Sequence, residues 1–112
     1  MAKLLCGAMF GFGLALTIVS GSALADDTGF ASAHDLRKER GRTCMSDHYH
    51  QGGGSGSTKK AAQVDAIKSW QNFTAFEYGS DWARFSKAAS KSMSCSASTS
   101  GVECNVEARA CR

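Results

Sequence analysis

The chain has 112 residues, with 13 Lys or Arg against 10 Asp or Glu and a formal net charge of +3. That balance is too even to argue for nucleic acid or a membrane surface as partner, and the length leaves room for one domain at most. No proline occurs and no internal repeat is visible.

In chain order, the first element is an export signal. Lys3 supplies a positive start, and Leu4 to Val19 carries no charge. Ser20-Gly21-Ser22 breaks the apolar run, and Ala23-Leu24-Ala25 is an A-x-A cleavage site before Asp26-Asp27. Residues 1–25 therefore read as a cleavable signal peptide. The apolar run falls short of the ~20 residues a spanning helix needs, so no membrane span is expected after cleavage. Cys6 precedes the apolar core, and Leu5 is too large for the residue before a lipoprotein cut, so lipidation is rejected. Cleavage leaves 87 residues, with 12 basic and 10 acidic side chains. Their four cysteines, Cys44, Cys95, Cys104 and Cys111, read as two disulfides in a periplasmic or secreted protein.

Residues 26–57 offer few large apolar side chains and end in Gly52-Gly53-Gly54-Ser55-Gly56-Ser57. By composition this is a mobile N-terminal arm and a flexible linker, with a helical turn around 33–40. The folded unit is expected in residues 58–112. Ser57 or Thr58 caps an amphipathic helix in which Ala61, Ala62, Val64, Ala66, Ile67, Trp70, Phe73 and Phe76 recur at three- and four-residue steps. Gly79 ends it. Ser80 opens a second, shorter helix with Trp82, Phe85, Ala88 and Ala89 as its apolar face.

The period then changes to two. Met93, Cys95 and Ala97 alternate with serines, and Val102, Cys104, Val106 and Ala108 alternate with Glu103, Asn105, Glu107 and Arg109. This predicts a β-hairpin in the register Ala97–Val102, Cys95–Cys104, Met93–Val106, which puts one apolar set on one face. The expected fold class is α+β, two helices packed on a C-terminal two-stranded antiparallel hairpin. Cys95–Cys104 with Cys44–Cys111 is the favoured pairing; Cys95–Cys111 with Cys44–Cys104 is its competitor.

Trp70, the turn Glu77-Tyr78-Gly79, Trp82-x-x-Phe85, Cys95, Cys104 and the ending Ala108-Arg109-Ala110-Cys111-Arg112 resemble a family of small exported proteins of alphaproteobacteria. Its pattern is W…YG-x-x-W-x-x-[WF]-x-x-A…C…C-x-x-x-A-R-[PA]-C. The match spans roughly residues 60–112, with Ala110 where proline is frequent. The resemblance implies an envelope or secreted bacterial protein and no particular activity.

Candidate chemistry is sparse. Cys44-x-x-x-His48-x-His50, with His34 nearby, offers thiolate and imidazole groups of the kind that bind zinc or copper, yet it lacks the usual ligand spacing, and an oxidised Cys44 is no ligand. No catalytic motif and no cofactor motif is present, so a non-enzyme without cofactor is expected. Six aromatics, Trp70, Phe73, Phe76, Tyr78, Trp82 and Phe85, cluster in the helical region. Most are expected in the core, and Tyr78 or Trp82, near the helix–helix turn, is the candidate for an exposed binding residue. Arg37, Lys38, Arg40 and Arg42 form a basic run. The reading is a non-catalytic binding protein of the cell envelope, its partner an envelope protein or polymer. The alternatives are a structural or stress-protective periplasmic protein without a ligand, and a metal-handling protein acting through the His-rich arm. An exposed aromatic or basic patch favours binding; burial of all six aromatics favours the structural reading.

Overall fold

The computed structural model describes residues 25–112, so the signal-peptide reading lies outside the described residues except at Ala25. Among the described residues the architecture is one α-helix and five strands in two antiparallel sheets. Strands β1 (Leu36–Glu39) and β2 (Arg42–Met45) form a hairpin. Strand β3 (His50–Gly56), helix α1 (Lys59–Tyr78), β4 (Ala89–Ser98) and β5 (Gly101–Arg109) follow. The larger sheet has the order β3-β5-β4, with α1 against it.

This corrects the expectation of two helices on a two-stranded hairpin in three places. First, the glycine-rich run is not a linker. It is β3, paired along its whole length with β5 from His50–Ala108 to Gly56–Val102. The reason lies in α1. A Cβ on Gly52 would sit 2.4 Å from the Ala66 carbonyl oxygen, and one on Gly54 would sit 2.1 Å from the Ala66 nitrogen. Glycines two apart share one face of a strand, and here that face lets a helix backbone approach closer than any side chain allows. The helix meets Gly54 with two small residues, Ala62 and Ala66, and its buried stripe continues through Trp70, Thr74 and Tyr78, each four apart.

Second, the arm is docked. The Thr28 N–H donates to the Tyr78 carbonyl, and the Ser80 and Asp81 N–H groups donate to the carbonyls of Ala25 and Asp26, all at 3.0 Å. Gly79, at φ 104°, ends α1, and a Cβ there would lie 2.6 Å from the Asp26 carbonyl oxygen. Third, the expected second helix is two single 3₁₀ turns, Ser80–Trp82 and Phe85–Lys87. Trp82 and Phe85 are three apart, a spacing that serves a 3₁₀ turn as well as an α-helix.

The helix start and the hairpin register match the sequence reading. The Thr58 hydroxyl accepts from the Ala61 N–H at 3.1 Å. Ala97, Cys95 and Met93 pair with Val102, Cys104 and Val106. The disulfides are Cys95–Cys104 and Cys44–Cys111. The second ties β2 to the C-terminal tail, where Thr43 and Arg112 exchange backbone hydrogen bonds at 2.9 Å and the Met45 N–H donates to the Ala110 carbonyl.

The core is centred on Trp70, Tyr78, Trp82, Met45 and Val106. Trp70 donates its indole N–H to the Ala108 carbonyl at 3.3 Å. Arg109 is 2% exposed. Its guanidinium grips both carboxylate oxygens of Glu39, at 2.8 and 2.9 Å, and donates to the Met45 carbonyl at 2.6 Å and to the Ser90 hydroxyl. A buried cation needs such a full set of acceptors, and here they come from the small hairpin and β4 together.

Candidate functional site

The exposed-aromatic expectation falls on different residues from those named. Tyr78 is fully buried and Trp82 is 1% exposed. Tyr78 stacks on His50, ring centroids 4.8 Å apart. Trp82 donates its indole N–H to Asp27 at 3.4 Å and lies under the Arg112 guanidinium. The arm, expected to be mobile, docks over them together with the C-terminal tail. Of the six aromatics of the helical region, Phe76, 82% exposed, and Phe73, 49% exposed, stand outside the core; Phe30 and Tyr49, in the arm, are exposed as well. Phe73 and Phe76 stand three apart in α1, on successive turns of its outer face.

The three histidines of the chain converge at the C-terminal end of α1. His34 follows the first 3₁₀ turn, His48 lies in the connection from β2, His50 opens β3, and Glu77 and Tyr78 close α1. The His34 and His48 rings are 4.5 Å apart between centroids, and His48 and His50 are 5.2 Å apart. The Tyr78 hydroxyl is 3.1 Å from His34 Nε2. Burial, with the Glu77 charge adding to it, pushes the Tyr78 phenol up to about 12, so it stays protonated. Asp35 and Asp47 join His34 and His48 around a cavity of about 220 Å³.

His50 is 2% exposed. Its Nδ1 is 2.9 Å from the Thr74 hydroxyl, and its Nε2 is 2.8 Å from a Glu77 oxygen. The second approach is close but poorly aligned, so the buried Nε2 has no directed hydrogen-bond partner. Burial holds the His50 pKa below its ordinary value, against the opposing pull of Glu77. The line Thr74–His50–Glu77 has the order of a hydroxyl–imidazole–carboxylate triad. Thr74 is fully buried, however, and a nucleophile must reach its substrate. The line braces β3 against α1.

Cys44, the thiol of the sequence-level metal candidates, is spent in its disulfide and is fully buried. His48 and His50 are indeed neighbours, but the group at metal-ligand spacing is His34, His48 and Glu77, whose donor atoms all lie within 4.8 Å of one another. Glu77 was not anticipated, because nothing in the sequence places the last turn of a helix beside a loop 29 positions earlier. Comparison with family models, with curated proteins and with solved structures returns no match. Among the described residues, no helix is long and apolar enough to cross a membrane. The two disulfides are consistent with a small domain of an oxidising, extracellular compartment.

Proposed function

We propose that the chain is an exported, non-catalytic binding domain of the bacterial cell envelope, meeting a partner protein through Phe73 and Phe76. The observation that carries this reading is the exposure of these two rings. Single exposed apolar residues are ordinary. Two phenylalanines at i and i+3 on a rigid helix, in a chain too small to waste aromatic burial, match the anchor spacing of a helix that docks into an apolar groove. Phe73 packs one edge on His50, ring centroids 4.7 Å apart, yet half of it stays exposed, and leaving Phe76 in water forgoes most of the about 1.5–3 kcal/mol that burial of a Phe side chain contributes. The resemblance of residues 60–112 to exported alphaproteobacterial proteins supports the envelope setting.

Chemical cross-linking in intact cells tests it. The native chain is expected to give a discrete heavier adduct, and the F73S/F76S double variant to lose it while keeping both disulfides and its circular dichroism. An adduct that persists in the folded variant overturns the reading, as does its absence from the native chain.

A further inference from the structure

The cluster at the end of α1 has features that its structural role does not use. His34 and His48 are partly exposed, as is Glu77, and they come from three separate segments of the chain. Packing alone has no need to bring two imidazoles and a carboxylate within 4.8 Å of one another. Beside them sits a buried imidazole nitrogen, His50 Nε2, with no directed partner although Glu77 is 2.8 Å away. Buried polar atoms are rarely left so, and each asks for an explanation.

We propose that His34, His48 and Glu77 form a binding site for a divalent late first-row transition cation, of which zinc is the working probe. A tetrahedral zinc ion with bonds near 2.1 Å needs donors about 3.4 Å apart, so closure asks for roughly an ångström of movement from partly exposed side chains. Two imidazoles and a carboxylate suit zinc or copper(II) and not calcium or magnesium, which take oxygen ligands. Among the described residues no thiolate competes, because all four cysteines are bridged. Asp35 and Asp47, on the same cavity, add negative charge that attracts a cation.

The surroundings fit a ligating role. Metal-bound imidazoles usually donate their other N–H to a neighbour that fixes the ring. Tyr78 stands 3.1 Å from His34 Nε2, and in the tautomer where that nitrogen donates to the phenol oxygen, Nδ1 keeps its lone pair for a metal. His50 Nε2 lies 2.8 Å from a Glu77 oxygen on the buried side, near enough to take up that role once the carboxylate turns toward an ion. With three protein ligands, the ion keeps a position open to solvent. It also links the arm, the β2–β3 connection and α1. This inference stands apart from the Phe73 and Phe76 reading, since neither ring supplies a ligand.

The test is zinc titration of the oxidised, exported protein prepared without a histidine tag, followed by calorimetry and by imidazole nitrogen NMR. One zinc per chain is expected, with the His34 and His48 resonances shifting. H34A and H48A should each weaken binding by at least about tenfold, while E103Q, on the far hairpin, should bind as the native chain does. Magnesium in excess should not compete. The absence of saturable binding at millimolar zinc overturns the proposal. So does equal affinity in the H34A and H48A proteins once their two disulfides and near-ultraviolet dichroism are shown intact.

Discussion

Arg109 and Glu39 form the most constrained ion pair of the described residues. The two hydrogen bonds from Arg109, aided by Arg37, hold the Glu39 carboxyl at about 2, well below its ordinary value of 4.5. A carboxylate depressed in the folded state contributes its stability in full above the unfolded value. As the pH falls below about 4.5 the unfolded chain takes up the proton first, and the contribution is gone near pH 2. Urea midpoints are therefore expected to fall over that window, and E39Q to show a flatter profile there; parallel profiles for the two proteins would refute the assignment. Two glycines give a second residue-scale prediction. A Cβ on Gly54 meets the backbone of α1 at 2.1 Å, whereas one on Gly53 meets only the Asn105 side chain at 3.4 Å. G54A should lose about 3 kcal/mol or more in denaturant melts, and G53A should stay within about 1 kcal/mol of the native chain.

The elements differ in how plainly the sequence announces them, and the reasons are physical. The β4–β5 hairpin was legible because alternation over two strands admits one register, and the cysteines sit opposite each other within it. Helix α1 was legible from its cap and periodicity, though its buried stripe is narrower than the apolar positions suggest: Val64, Phe73 and Phe76 face out. Strand β3 was hidden because glycine carries no hydrophobic signal, and the reason for the glycines is the helix backbone on the other side. The β1–β2 hairpin was hidden because Leu36–Glu39 shows no alternation and its turn is Arg40-Gly41, with Arg40 at φ 50°, instead of the usual Asn-Gly. The disulfides follow the elements they join. Cys95–Cys104 closes a separation of 9 residues within one hairpin, while Cys44–Cys111 closes 67. In the chain-entropy model, replacing both cysteines of the longer bridge by serine should cost about 4 kcal/mol, against about 2.7 kcal/mol for the shorter. Equal losses, or the reverse order, in thermal melts would contradict the view that the long bridge fastens the small hairpin to the rest.

At the scale of the whole molecule, the arm and the C-terminal half form one structure. Segments that composition marks as too polar to fold alone are held by partners elsewhere: residues 25–28 by the end of α1, β2 by the tail, and β3 by β5 and α1. This is why the candidate site was only partly legible. His48 and His50 are adjacent in sequence, but His34 and Glu77 reach them only once the arm closes over the helix, and the same closure buries Tyr78 and Trp82. Both functional proposals depend on that closure, the metal site directly and the exposed phenylalanines through the orientation of α1. Amide hydrogen exchange across residues 50–56 of the oxidised protein tests it most directly. Ladder amides of β3 are expected to exchange slowly, at the rate set by global unfolding and alongside the central strand β5. Exchange of the glycine run at the speed of an unstructured chain, with β5 still protected, would show a linker and contradict the fold described here.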